Sequence, residues 1–258
     1  MRVETRGPGQ PEIAIITLVH GDEVCGKEAV DRLLEEDRDF QKGVKFVYAN
    51  EEAYEKGQRY VDSDLNRVAP GDPNSSDHEE QLAAELLKEV VGTTVLDLHS
   101  TVSSDVPFAI FSNPTGPVAD VVRATGLEYT VDNSLLDGAL DAYYNGTCVE
   151  CGRKGTKQAA ENAYDVITTF LRNLGALEGD AERSDPVVFN VFDQVDRLDG
   201  MEFVGTNFEK VSPGESFATI EGDEITAEET FYPVLMSNKG YENILGFKAE
   251  KLGRTSEL

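Results

Sequence analysis

The segment IAIITLV, residues 13–19, constrains the fold more than any other stretch. A strand with one wet face alternates apolar and polar side chains; this run is apolar almost throughout, as expected of a strand covered on both faces within a parallel sheet. Helical spacing follows at once, with Val24, Ala29, Val30, Leu33 and Leu34 recurring between Asp22 and Glu36. Similar units come later. Strands are expected at Val44 to Tyr48, Thr94 to Leu98, Phe108 to Phe111 and Thr147 to Cys151. Helices are expected over Asp77 to Val91, Pro117 to Ala124 and Gln158 to Leu174. This alternation predicts an α/β fold with a mostly parallel core sheet flanked by helices.

Two stretches break the pattern. From Asn50 to Ser76 the chain is rich in Gly, Pro, Asp and Asn without periodicity, which reads as one long loop of the kind that is functional or disordered in compact domains. After Leu174, GALEGDAERSDP has linker composition, and short β-rich pieces follow (VVFNVF, MEFVG, SFATIEG, FYPVLM). The expected division is an α/β domain over residues 1–175 and a small all-β domain over 176–258.

Composition narrows the function. The 258 residues carry 49 Asp and Glu against 23 Lys and Arg, a formal net charge of −26. Such a field repels phosphate backbones and anionic lipid, so no nucleic-acid or membrane partner is expected. The acids are spread through folded segments, not pooled in a tail, which suits a surface working in high salt, where repulsion is screened over a few Å. No run approaches the roughly 20 apolar residues of a membrane span, and the N-terminal MRVETRGPGQPE lacks a signal-peptide core. The expectation is a cytoplasmic protein of a high-salt cytosol; homo-oligomerisation is compatible with the sequence. The odd set Cys25, Cys148 and Cys151 argues against a disulfide framework. On a strand Cys148 and Cys151 point to opposite faces, so joint chelation is disfavoured.

Of three histidines, His20 and His99 each stand where a buried strand ends. Catalytic groups of open α/β sheets collect there. Glu23, expected in the first turn of the helix after His20, can converge with both histidines, and two His plus one Glu leave an open position as in catalytic zinc sites. His78, at the polar start of a helix, reads as a surface or capping residue. GQRYVDSDLNRV gathers Arg59, Asp64, Asn66 and Arg67; arginine forks suit carboxylates, although local pairing with aspartates would also explain them.

His20-x-x-Glu23, Asp64-Leu65-Asn66-Arg67, Asp97-Leu98-His99-Ser100 and Val149-Glu150-x-Gly152 together resemble the succinylglutamate desuccinylase and aspartoacylase family, relatives of the zinc carboxypeptidases. FYPVLMSNKGY also looks like that family's C-terminal β-region. The resemblance implies one zinc ion held by His20, Glu23 and His99, and Glu150 as general base. It implies Arg59 on the scissile carbonyl, Asn66 and Arg67 on a substrate carboxylate, and Tyr241 reaching the site from the C-terminal region. Asp97, two residues before His99, is a plausible partner for it. The implied activity is hydrolysis of the amide of an N-acyl amino acid. One family feature is missing: no Arg or Lys lies between Arg123 and Glu150, where the resemblance leads one to expect an arginine reading an acidic substrate side chain. Tyr143 and Tyr144 do not replace a charge-paired fork. An N-acetylaspartate substrate is therefore disfavoured. The alternatives are a carboxypeptidase for short peptides and a non-catalytic protein retaining the fold.

Overall fold

The computed structural model describes residues 1–112, 116–135, 139–240 and 242–257, with the side chains of 116 and 117 left aside. Strands β1 (Arg2–Arg6), β2 (Pro11–Thr17) and β3 (Gly43–Tyr48) are followed by β4 (Thr94–Thr101), β5 (Phe108–Phe111), β6 (Tyr129–Asp132) and β7 (Gly146–Arg153). Among them lie helices α1 (Cys25–Glu35), α2 (Glu51–Glu55), α3 (His78–Val90) and α4 (Gly116–Ala124); α5 (Lys157–Asn173) follows β7. The remaining strands are β8 (Val187–Asp196), β9 (Met201–Phe203), β10 (Ser216–Ile220), β11 (Asp223–Thr226), β12 (Tyr232–Val234) and β13 (Ile244–Arg254).

One ten-stranded sheet runs β1-β3-β2-β4-β7-β5-β6-β8-β13-β12, and β11-β10-β9 form a small antiparallel sheet. β3, β2, β4 and β7 are mutually parallel, as are β5, β6 and β8. The fold is thus mixed α/β with a large central sheet flanked by helices, as the strand and helix pattern implies. The chain beyond residue 175 adds β8, β13 and β12 to the large sheet and contributes the small sheet as well.

The continuous apolar run of β2 has the expected cause. Ile13 and Ile15 pack with residues of α1, α4 and α5 on one face, while Ala14 and Ile16 pack with Leu82, Leu86 and Val90 of α3 on the other. Each of these four β2 side chains is at most 2% exposed, so both faces are removed from water, worth about 1.5–3 kcal/mol for each large aliphatic side chain. Gly26 lets α1 sit close: a Cβ there would lie 2.7 Å from Thr17 Oγ1 and 2.8 Å from Leu98 Cβ.

The long loop expected over Asn50 to Ser76 contains ordered elements. Asn50 caps α2 by accepting from Ala53 N, and Asp64 caps a 3-10 turn, Leu65–Arg67, by accepting from Asn66 N. Capping of such short pieces carries no hydrophobic period, which is why periodicity misses them. Among the described residues no helix is long and apolar enough to cross a membrane.

Candidate active site

β2 and β4 are neighbours, but the chain leaves β2 toward β3 on one side and returns on the other as β4. A crevice therefore opens beyond their carboxyl ends. Here the structure adjusts two expectations. β2 stops at Thr17, and Leu18, fully buried, adopts φ 61° before the chain reaches His20. Glu23 lies in the turn before α1, not within its first turn, with its N–H donating to His20 O at 3.1 Å. A non-glycine residue in the left-handed region costs on the order of 1 kcal/mol or more. Asn50 N and Ala49 N, both at 2.9 Å from the carbonyls of Leu18 and Thr17, hold the chain in this path. His99 is likewise inside β4, which continues to Thr101, and it stands opposite Glu150 in the register with β7.

His20, Glu23 and His99 are 3%, 4% and 2% exposed, and donor atoms from all three lie within 4.8 Å of one another. His20 Nδ1 is 3.0 Å from Glu23 Oε1, and His99 Nδ1 is 3.1 Å from Glu23 Oε2. Donors bound at 2.0–2.1 Å to a tetrahedral zinc stand about 3.3 Å apart, so the spacing fits. Among the described residues His20 Nδ1 has no aligned hydrogen-bond partner despite being buried, as expected of a lone pair reserved for an ion.

The outward side of each ring faces a second carboxylate. His20 Nε2 pairs with Asp64 Oδ1 at 3.0 Å. His99 Nε2 lies 3.1 Å from Asp97 Oδ2, an ion-pair distance without hydrogen-bond alignment. A carboxylate behind a metal-binding imidazole fixes its orientation and makes it a better ligand. Ser100 N donates to Glu23 Oε2 at 3.1 Å, holding the third donor.

The electrostatics follow from this crowding. Burial pulls His20 down, but the charge of Glu23 and the hydrogen bond to Asp64 outweigh it and leave it raised. Burial likewise opposes ionisation of Glu23, yet the two histidines hold it well below the ordinary carboxylate range. Among the described residues Glu150 has no such partner. Burial first, and then the negative charge of Glu23, push it up to about 7, and its Oε2 is buried without a hydrogen bond. A cation among the histidines would draw it back down.

The structure brings Arg59 to the same point. Its Nη1 donates to Glu23 Oε1 at 2.7 Å, and its Nη2 lies 3.3 Å from Asp64 Oδ2. Asn66 and Arg67 line the same cleft, a space of about 640 Å³. Asn66 Oδ1 accepts from Leu140 N at 2.9 Å, which leaves its amide N–H groups as the donors for a ligand; Arg67 is exposed, with Nη1 on Asn66 O at 2.6 Å. Tyr241 lies outside the described residues.

The cysteines sit as strand alternation requires. Cys148 lines the cleft, whereas Cys151 and Cys25 belong to the core beneath the sheet, and all three are free. His78 opens α3, with Nδ1 3.7 Å from Glu52 Oε2, away from the cleft. Sequence reasoning missed Asp141 and the cleft lysines Lys154 and Lys239. Each is a single charge on a turn or segment end, with no spacing to mark it.

A profile of the succinylglutamate desuccinylase/aspartoacylase catalytic domain matches residues 9–173. The chain belongs to this family. A probable aspartoacylase of Trichodesmium erythraeum is 23% identical over 278 aligned positions, covering 89% of this chain and 92% of the relative. A probable aspartoacylase of Prochlorococcus marinus is 32% identical over 105 residues, which spans 36% of this chain and only 35% of the relative. Among solved structures, the succinylglutamate desuccinylase/aspartoacylase of Rhodobacter sphaeroides superposes with a TM-score of 0.77 at 17% identity, covering 98% of this chain and 87% of that one. An aspartoacylase family protein of Mesorhizobium loti gives 0.74 at 22% identity, covering 98% and 89%. Murine aminoacylase 3 gives 0.70 at 19%, covering 95% and 97%. At these identities the likeness is one of fold, and that fold includes β8 to β13 beyond the matched catalytic segment.

Proposed function

We propose that the chain is a zinc-dependent amidohydrolase that cleaves the amide of an N-acyl amino acid with water. The observation that carries this reading is the meeting of two imidazole Nδ1 atoms and the Glu23 carboxylate at one point, with the unpartnered Glu150 carboxylate beside it in an open cleft. Zinc is favoured by the two-His, one-carboxylate donor set; bound there, it supplies Lewis acidity and lowers the pKa of water to about 7.

The residues of the chain do the rest. Glu150 accepts the proton of the attacking water and returns it to the departing amine, so the net reaction is amide plus water to acid plus amine. Arg59 keeps Asp64 as its counter-ion and donates to the carbonyl oxygen as that oxygen becomes negative. Asn66 and Arg67 hold the substrate carboxylate, one through amide N–H groups and the other through its guanidinium. Tyr241, outside the described residues, is read as a further substrate-binding residue on the family resemblance of NKGYEN alone. Asp64 fixes the ring orientation of His20 through its hydrogen bond, and Asp97 sets a negative charge beside His99. We also read the acidic surface as an adaptation to a high-salt cytosol.

The test is hydrolysis of a panel of N-acetyl and N-succinyl amino acids beside dipeptides, in low and high salt, by the wild type and Glu150→Gln. The reading expects acyl amino acids to be cleaved and the variant to be slower by about 10²–10⁴-fold. Cleavage of dipeptides alone would show a carboxypeptidase, and undiminished hydrolysis by Glu150→Gln would remove the assigned base.

A further inference from the structure

Asp141 stands in a 3-10 turn, Leu140–Tyr143, between β6 and β7. The turn is pinned from two sides: Leu140 is fully buried against the α3 face of the sheet, and its N–H is held by Asn66 Oδ1. Asp141 thus stands next to the residue assigned to the substrate carboxylate. It is only 7% exposed, yet it lines the same cleft as the histidines and Glu150.

Its charge is uncompensated. Among the described residues the Asp141 carboxylate takes one side-chain hydrogen bond, from Ser112 Oγ to Oδ2 at 2.9 Å, and forms no ion pair. The charged groups that act on it are Asp97, which repels it, and His99. Burial, the largest cause, holds its carboxyl above the ordinary range. The cleft's basic residues are engaged or distant from the interior: Arg59 is on Glu23 and Asp64, Lys154 is on Asp22 at 2.7 Å, and Arg67 and Lys239 are exposed. A carboxylate kept out of water beside a ligand cavity is costly unless a cation or donor meets it there.

We propose that Asp141 is a specificity-determining residue that pairs with an ammonium group on the substrate side chain, so that the preferred substrates are Nα-acylated diamino acids. An acyl amino acid with its carboxylate on Asn66 and Arg67 places its side chain beside the turn that Asn66 holds. A carboxylate side chain would meet Asp141 as a like charge; a neutral one would leave Asp141 unpaired. The inference rests on the deacylase reading above and adds the class of amine product.

The test compares kcat/KM for Nα-acetyl diamino acids with two, three and four side-chain methylenes against Nα-acetylnorleucine and Nα-acetylglutamate. A charge-assisted contact predicts a preference of about 10- to 100-fold for the best diamino acid over norleucine. Asp141→Asn should reduce that ratio to near one, and Asp141→Arg should move the preference toward glutamate. Equal hydrolysis of basic and neutral substrates by the wild type, a preference for glutamate, or a basic preference that survives in Asp141→Asn would each overturn the proposal while leaving the deacylase reading intact. If no acyl amino acid is cleaved, the deacylase reading fails. Calorimetry with free ornithine, lysine and norleucine then decides the Asp141 subsite: it stands if the diamino acids bind more tightly and Asp141→Asn removes the difference, and it falls otherwise.

Discussion

The two ends of the cleft are built differently. At the end that holds the candidate metal site, His20, Glu23 and His99 stand at or just beyond the carboxyl ends of two adjacent strands whose interiors are buried on both faces. Each donor residue has a second contact: a hydrogen bond to Asp64 for His20, the nearby charge of Asp97 for His99, and a hydrogen bond from Ser100 N for Glu23. At the substrate end Arg59, Asn66, Arg67 and Asp141 stand on loops and short 3-10 turns. These segments are tied by side-chain hydrogen bonds: Glu79 accepts from the backbone N–H groups of Val61, Asp62 and Ser63, Asp64 caps Leu65–Arg67, and Asn66 accepts from Leu140 N. On the proposed reading, general reaction chemistry would sit at the sheet, where geometry varies least, and selectivity on segments whose sequence can change without disturbing the core.

This contrast can be broken by substitution. The largest loss is expected from Glu150→Gln, about 10²–10⁴-fold in kcat, with bound metal retained; loss of metal along with activity would mean that Glu150 acts on the ligand set. Arg59→Ala should follow at about 10²–10³-fold in kcat. Asp64→Asn should weaken metal affinity by about 10–100-fold, measured by competition with a chromogenic chelator, because His20 loses its anionic partner. An unchanged affinity would mean that Asp64 serves only Arg59.

A smaller effect is expected at Glu79, which supports the substrate end without touching the cleft. Its buried carboxylate accepts from the backbone N–H groups of Val61, Asp62 and Ser63 at 2.6, 2.9 and 3.1 Å and from Asn50 Nδ2 at 2.8 Å. Glu79→Gln should cost about 1–3 kcal/mol of stability and raise KM more than it lowers kcat. Burial alone would raise the Glu79 pKa, but these hydrogen bonds outweigh it and leave it lowered. The folded state then binds fewer protons than the unfolded one. Its contribution is therefore complete above the ordinary carboxylate range and is lost as pH falls through and below that range. Denaturant midpoints against pH should show a shallower acid limb in Glu79→Gln; parallel curves would mean that Glu79 does not ionise differentially. Smallest of all, removal of the exposed Lys56–Glu52 pair should change stability by about 0.5 kcal/mol or less.

The same division explains what was legible in the sequence. β2, β4 and β7 could be read because their buried segments are mostly apolar over four to seven residues; His20 and His99 follow from the ends of such runs, whereas Glu150 is marked only by the family resemblance of its motif. β1 could not: RVETR turns Val3 and Thr5 to solvent, leaves its charged residues Arg2, Glu4 and Arg6 half-buried, and pairs only with β3 at the sheet edge. β13 is interrupted by Gly246 and Gly253 and owes its length to pairing with β8. The turn that carries Asp141 has neither period nor motif. Its importance depends on Asn66, 75 residues earlier in the chain and bonded to the adjacent Leu140, a contact that only folding creates. The motif DLNR pointed to a carboxylate-binding loop, but the role of Asp64 behind His20 required the 3.0 Å contact itself.

The central claim is that the strand-end residues form a working metal centre for acyl-amide hydrolysis. Its most direct test is titration of the chelator-stripped protein with zinc while N-acyl amino acid hydrolysis is followed, for the wild type and His99→Ala. The account predicts that bound zinc and activity rise together, saturate at about one equivalent per chain, and are both lost in His99→Ala at the same zinc concentration. Full hydrolysis by the stripped protein, or equally tight zinc binding by His99→Ala, would contradict it.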